Sequence, residues 1–118
     1  MNIVSKNQAP DHYKWGDNCD CWNLVILKEL SIKLEQMPCH TAEEKHFHKL
    51  ANQFFFILQG EAIFELGHTR KIVGPQQGIL VEKGTKHRIL NESDKSLEFL
   101  LVSQPPATDC RINFEEQK

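Results

Sequence analysis

The sequence predicts an all-β protein, a single domain that folds as a small antiparallel β-barrel or a double-sheet jelly roll. Roughly eight short apolar or alternating segments follow one another along the chain, and each has the length and residue types of a strand. Glycine, proline and clustered polar residues separate these segments, as expected of turns. No segment predicts a helix unambiguously, and the chain has no internal repeat.

Composition places the chain among ordinary globular proteins. Its 118 residues make one domain, of which 40% are apolar and 25% charged. The net charge of −2 gives no reason to expect a nucleic acid or an anionic membrane as partner. No stretch approaches the roughly 20 apolar residues of a membrane span, and the first residues lack the apolar core of a secretory signal. A cytoplasmic location is therefore expected.

The four cysteines, Cys19, Cys21, Cys39 and Cys110, are expected to be free thiols in such a location. Cys19 and Cys21 could together bind a soft metal ion. Zinc sites normally use two pairs of cysteines, however, and the chain offers no second pair. Structural or incidental thiols are the favoured interpretation.

The N-terminal residues 1–21 predict an extended arm with turns, because polar residues, Pro10 and Gly16 interrupt any regular pattern. Trp15 and Trp22 are expected to cover an open sheet edge or a partner subunit, in preference to lining a ligand pocket. The barrel is expected over 22–104. Two prolines then stop the sheet, and 105–118 form a loosely held tail.

The first two barrel strands are predicted over 22–27 and 30–37. The second alternates apolar and polar residues with a period of two. Leu30, Ile32 and Leu34 are accordingly expected to face the interior, and the polar set of Ser31, Lys33 and Glu35 to face water. Pro38 ends this strand, and a polar connection over 39–45 leads to the next segment.

Residues 44–58 support two interpretations. Apolar residues recur there at helical spacing, and Thr41 with Glu44 could form a capping box. The aromatic run from Gln53 to Leu58 ends in a turn glycine, which favours a strand. In a helix, His46 and His48 would diverge by roughly 200°. In a strand they would point the same way. The pattern alone does not decide between the two.

The second half of the barrel has clearer strand signals. Residues 61–66 alternate, Gly67 and His68 predict a two-residue hairpin, and 70–73 pair back. A short strand over 78–81 and a turn precede His87. Residues 97–102 are apolar enough to be covered on both faces.

Two motifs in this chain resemble those of the cupin family. His46-x-His48, four residues, Gln53, six residues and Gly60 is similar to the first cupin motif. Gly84, two residues, His87, three residues and Asn91 is similar to the second. The resemblance covers roughly residues 40 to 104. It implies the cupin double-stranded β-helix (jelly roll) over a single domain of residues 1–118, with 44–58 in the β conformation.

The predicted site is a metal centre. If both motifs lie on strands, His46, His48 and His87 converge on one point, with Gln53 on a neighbouring strand. Imidazole ligands favour a first-row transition metal, so one divalent ion is expected: iron, zinc, nickel or manganese. Many cupins have glutamate where this chain has Gln53. Its amide either contacts the ion or only hydrogen-bonds a ligand, and the sequence leaves both open.

A ligand pocket is expected beside the metal, with an apolar lining contributed by the motif strands and the last strand. The predicted lining residues are Phe55, Ile57, Phe64, Ile89 and Phe99. No acid or base besides the histidines is predicted there. His12, His40 and His68 lie outside the motifs, and Arg88 and Asn91 are expected to shape their strand and turn.

The resemblance implies three kinds of function. The first is a metal-dependent enzyme on a small organic molecule, with dioxygenase-type chemistry or, as an alternative, sugar-isomerase-like chemistry. The second is a non-catalytic module that binds a small molecule or metal. The third is a relic fold with an empty site. The resemblance also implies a homodimer.

Overall fold

The computed structural model describes residues 3–107 and the backbone of residues 111–113, which form two antiparallel sheets. The sheets pack as a jelly roll, and the barrel is not closed. A single 3-10 turn, Lys6–Gln8, precedes the strands. Within the described ranges, no helix has the length and apolar character needed to cross a membrane.

The first sheet has the strand order β1-β2-β3-β11-β6-β9, and the second has the order β12-β5-β10-β7-β8, with β4 also paired to β10. In chain order the strands are β1 Asp11–Trp15, β2 Cys19–Ile26, β3 Ser31–Met37, β4 Thr41–Ala42, β5 His46–His48, β6 Asn52–Gln59, β7 Ala62–Leu66, β8 Thr69–Val73, β9 Gly78–Val81, β10 His87–Asn91, β11 Leu97–Gln104 and β12 Arg111–Asn113.

The helical interpretation of residues 44–58 is wrong, because the segment forms β5 and β6. Side chains of β6 alternate between the interior, with Gln53 and Phe55, and the outer face, with Phe54. β6 pairs with β11 on one side and β9 on the other. Hydrogen bonds to two neighbouring strands override the local helical spacing. The predicted hairpin at Gly67 and His68 is confirmed, since β7 and β8 pair across it.

The N-terminal arm expected over 1–21 contains a strand that the sequence did not predict. β1 pairs antiparallel with β2, which begins at Cys19, three residues before the predicted barrel. Gly16 and Asn18, both with positive φ, form the turn between them. The first sheet therefore extends as far as Tyr13 and Trp15.

The orientation predicted for β3 is wrong. Ser31 and Glu35 are buried, whereas Ile32 and Leu34 lie on the outer face, where they are half-buried. On that face Leu34 pairs in register with Leu100 of β11. The apolar alternation of β3 thus belongs to an apolar outer surface of the sheet, and its polar residues face the interior.

The hydrophobic core is built from interior side chains of both sheets. Its largest fully buried side chains include Met37, Ile57, Phe64 and Leu97. Gly60 follows β6 with φ +87°, and a Cβ there would lie 2.6 Å from the Ser96 carbonyl oxygen. This close approach explains the glycine at the end of the first motif.

The expected C-terminal tail contributes one strand. β11 ends at Gln104, immediately before the two prolines, as predicted. β12 then pairs antiparallel with β5, so the chain continues after the prolines with a strand of the second sheet. Residues 108–110 and 114–118, including Cys110, lie outside the described part of the chain.

Candidate metal centre

Three histidines meet in the interior of the sandwich. β5 positions His46 and His48 on one face of the strand, and His87 is the register partner of His46 on β10. All three are buried, with 1 to 5% of their surface exposed. Their ring centroids are 4.4 Å (His46–His87), 5.0 Å (His46–His48) and 6.1 Å (His48–His87) apart. One nitrogen from each ring lies within 4.8 Å of the others, close enough to bind one ion.

Backbone carbonyls fix the tautomer of two of these rings. His46 Nδ1 donates to the Glu44 carbonyl and His87 Nδ1 to the Thr85 carbonyl, both at 2.8 Å. A carbonyl oxygen can only accept, so Nδ1 has a proton, and in the neutral ring the lone pair is then on Nε2. Metal-binding histidines characteristically use the second ring nitrogen for such an orienting bond.

Gln53 supplies a buried oxygen. Its Nε2 donates to Ser103 Oγ at 3.0 Å, which orients the amide. Its Oε1 is buried and has no hydrogen-bond partner among the described residues. A buried acceptor without a partner costs roughly 1–3 kcal/mol, and a cation would remove that cost. The amide oxygen and the imidazoles therefore fit a divalent transition metal.

A cavity of about 290 Å³ opens beside this cluster. His46, His48 and Gln53 contribute to its wall. All five predicted lining residues belong to the hydrophobic core. Phe55, Ile89 and Phe99 also line the cavity, whereas Ile57 and Phe64 do not. Ile57 lies two residues beyond Phe55 on β6, and Phe64 packs against Phe55 with ring centroids 4.9 Å apart.

The cavity also has polar residues that the sequence analysis placed elsewhere. Tyr13, Lys33, Glu35 and Glu43 contribute to the same wall as the histidines. Glu35 is only 8% exposed. For Lys33 and Glu35, the signal in the sequence is the alternation of polar residues along β3, but the prediction puts those residues on the solvent face.

Trp15 also lines the cavity, contrary to the role predicted for it. Trp22 has a different environment: it stacks on His12, with centroids 4.8 Å apart, and Lys6 Nζ lies 4.9 Å from its ring centre. Trp15 and Trp22 lie on either side of the turn between β1 and β2, and of the two only Trp15 lines the cavity.

Burial raises the pKa of three side chains in or near this wall. Burial, followed by the negative charge of Glu35, raises the pKa of the Cys21 thiol to about 12. Burial also raises the pKa of Tyr13, with a hydrogen bond to Cys21 as the next cause. The pKa of Cys19 is raised as well, again mainly by burial. Among the described residues, the group of three or more metal-binding side chains that lie close together consists of His46, His48 and His87, and it includes neither Cys19 nor Cys21.

The histidines outside the motifs have surface partners. His12 lies 2.9 Å from an oxygen of Asp20, and His40 lies 3.0 Å from an oxygen of Asp94. His68 occupies the exposed hairpin turn. None of these three belongs to the cluster.

Arg88 and Asn91 have structural contacts. Arg88 Nε donates to Glu65 Oε1 at 2.6 Å, across the pairing of β10 with β7. This hydrogen bond is the main reason that the pKa of Glu65 is lowered. The fully buried Asn91 amide donates to the carbonyls of Met37 and Lys95, and so holds two connections together.

Comparison with protein families gives one match over most of the chain. The profile of the family described as "Cupin domain" matches residues 33–103. This range begins within β3, ends within β11 and includes both histidine motifs. No protein with a curated description matches the sequence significantly.

Solved structures with the same fold come from diverse proteins. The polyketide cyclase RemF from Streptomyces resistomycificus has a TM-score of 0.81 at 15% identity, with 97% of this chain and 85% of that chain covered. A predicted oxalate decarboxylase from Thermotoga maritima has 0.77 at 18% identity, covering 89% and 100%. A sugar phosphate isomerase from Silicibacter pomeroyi has 0.71 at 15% identity, covering 84% and 73%. At these identities the similarity establishes the fold alone.

Proposed function

The chain belongs to the cupin family, and on that premise we propose that it binds one divalent transition metal ion and acts on a small organic molecule. The ligands proposed are His46, His48, His87 and Gln53. The observation that supports this most is the buried Gln53 Oε1, which has no hydrogen-bond partner among the described residues and lines the same cavity as two of the histidines.

The donor set supports iron, zinc, nickel or manganese, without selecting one. All four proposed side chains are neutral as ligands, so they leave the charge of a divalent ion uncompensated. That charge would favour an anionic ligand or a strongly polarised carbonyl in the remaining positions. A bound ion of this kind supplies Lewis acidity toward such an oxygen.

Proton-transfer chemistry of the isomerase type is the reaction that the cavity supports best. Glu35 places a buried carboxylate in the wall, where it could accept a proton from carbon next to a carbonyl. The Tyr13 phenol is protonated at neutral pH, since partial burial raises its pKa further above an ordinary value of about 10, and it can donate a hydrogen bond. Phe55 and Phe99 make part of the same wall apolar.

Dioxygenase-type chemistry is the second candidate. The apolar side chains of Phe55, Ile89, Phe99 and Leu101 make much of the wall, which suits a partly hydrophobic substrate. Three imidazoles also leave positions for other ligands. Oxygen uptake by the iron-loaded protein over a panel of diketones, thiols and phenols would favour this candidate. Solvent deuterium incorporation next to a carbonyl, without oxygen uptake, would favour the first.

We propose that the protein is a homodimer in solution. Phe54 and Leu80 are exposed and pair in register on the outer face of the first sheet. Half-buried Ile32 and Leu34 continue the same apolar surface. Exposed apolar patches of this kind mark interaction sites, and light scattering would measure the mass in solution. The cytoplasmic location stays a prediction.

Metal analysis is the primary test of the proposed function. Protein purified without a nickel affinity step or a chelator should contain about one transition metal ion per chain, since one cluster is proposed. A His48→Ala variant should lose that metal and retain its fold by circular dichroism. A His68→Ala variant, altered in the exposed hairpin, is the matched control and should retain it. A His48→Ala protein with wild-type metal content would contradict the ligand assignment.

A further inference from the structure

A second cavity, of about 640 Å³, adjoins the one beside the histidines. The two share Tyr13 and Lys33. The other residues around the second cavity are Asp11, Asn23, Ile26, Leu27, Lys28, Ser31, Pro105 and Pro106. A ligand could therefore extend from the metal centre past Lys33 into a larger space.

Within the described part of the chain, Lys33 is a cation without a carboxylate partner. It is half-buried, and Nζ donates to the Tyr13 hydroxyl at 3.3 Å. Among the described residues, no carboxylate oxygen lies within 4.0 Å of it, although seven such pairs involve other side chains. A partly desolvated ammonium group is costly unless an anion balances it. The position thus favours an anionic ligand.

Ser31 provides a second donor on the same face of β3. It is 4% exposed and lines the second cavity. Its Oγ is buried without a hydrogen-bond partner among the residues described. Residues two apart on a strand are separated by about 6.8 Å, so Ser31 Oγ and the longer Lys33 side chain can reach the two oxygens of one carboxylate. The acid that lines the second cavity, Asp11, accepts a hydrogen bond from Asn23 at 2.8 Å.

We propose that Ser31 and Lys33 form a carboxylate-binding subsite, and that the ligand is an organic acid that also reaches the metal centre. Ser31, Ser103 and Gln53 are register partners on three adjacent strands. Two strand spacings separate Ser31 from Gln53, about 9.6 Å between their Cα atoms. A linear acid of four to six carbons spans the gap between side chains projecting from those positions. The claim that the same ligand also reaches the metal ion rests on the proposed function, whereas the carboxylate subsite itself does not.

Paired probes test the span. The zinc-loaded protein is titrated calorimetrically with 2-oxoglutarate and with 2-oxopentanoate, which has a methyl group in place of the distal carboxylate. A charge-assisted hydrogen bond predicts that 2-oxoglutarate binds roughly tenfold to a hundredfold more tightly. Lys33→Met should remove this preference and leave 2-oxopentanoate affinity and zinc content unchanged. Ser31→Ala should reduce the preference by a smaller factor. Lys71→Met, at an exposed position in the second sheet, should retain it.

A metal-free experiment separates the subsite from the proposed function. Glutarate added to zinc-free, ¹⁵N-labelled protein should shift the amide resonances of Ser31 and Lys33, and Lys33→Met should abolish these shifts. Absence of the shifts in wild-type protein would overturn the subsite, whether or not the protein binds zinc. Equal zinc-loaded affinities for the two keto acids, or an undiminished preference in Lys33→Met, would also overturn it. Failure to bind zinc together with intact glutarate shifts would instead count against the metal centre alone.

Discussion

Metal should stabilise the fold through the histidine cluster, and removal of one imidazole should abolish most of that effect. At a zinc concentration 100 times the dissociation constant, binding to the native state alone adds about 2.7 kcal/mol to the free energy of unfolding. For a domain of this size, 1 kcal/mol shifts Tm by about 3–5 °C, so the wild-type protein should gain about 8–14 °C.

His48→Ala removes one of the four proposed ligands. Loss of even an outer partner of a metal ligand weakens affinity by roughly 10-fold to 100-fold. A 100-fold loss leaves about 0.4 kcal/mol at the same zinc concentration, or about 1–2 °C. The comparison is made within each variant, with zinc and with a chelator, so any destabilisation from truncating a buried side chain cancels.

Differential scanning fluorimetry at fixed zinc concentration measures these shifts. His68→Ala, in the exposed turn between β7 and β8, should retain the full wild-type gain. If His48→Ala gained as much as the wild type, zinc would be stabilising the protein at another place, and the reasoning from the cluster would be refuted.

Three further predictions concern single positions. Gly60→Ala should lower the free energy of unfolding in urea by roughly 2–4 kcal/mol, because a positive φ and a backbone clash coincide at this position. Gly84→Ala, where φ is +82° and a Cβ would meet open space, should lower it by only roughly 1–2 kcal/mol. Equal losses in the two variants would contradict the clash at Gly60. Gln53→Glu should destabilise the metal-free protein by roughly 2–4 kcal/mol, because it buries a carboxylate. The same variant should bind zinc more tightly than the wild type in a chelator competition. Unchanged zinc affinity would argue against contact between residue 53 and the ion. At pH 8, iodoacetamide should label the exposed Cys39 and leave Cys21 unmodified, as measured by mass spectrometry. The reason is that the Cys21 thiol is buried and its raised pKa of about 12 keeps it protonated. Prompt labelling of both cysteines would show that the cavity wall opens.

The sequence was sufficient to predict the jelly roll and the convergence of the histidines. A spacing of two between His46 and His48 determines a shared face once the segment is a strand. The motif around His87 then supplies the third ring from β10. The helical pattern over 44–58 could not be rejected locally, because the pairing of β6 with β11 and β9 that decides it is a tertiary interaction.

The face of β3 could not be predicted from its alternation. A period of two shows that alternate residues share a face, but not which face is interior. Here Ile32 and Leu34 join an apolar outer surface, and the interior face presents Lys33 and Glu35 to the cavity. For that reason the acid–base and anion-binding groups were absent from the predicted site.

The sequence pattern also could not predict which interior residues of a strand line the cavity, or that β1 would form at the edge of the first sheet. Ile57 and Phe55 share the interior face of β6 and both belong to the core, yet of the two only Phe55 lines the cavity. β1 consists mostly of exposed residues, and its pairing with β2 compensates for a composition typical of loops. Tyr13 and Trp15 entered the cavity wall through that pairing.

Anomalous diffraction at the zinc edge, from crystals of untagged protein, tests the central account most directly. We expect a single strong peak at bonding distance, about 2.0–2.2 Å, from one nitrogen of each of His46, His48 and His87, with Gln53 Oε1 facing the ion. A peak at His12 or His40 instead, or an ordered cluster without a peak at saturating zinc, would contradict it.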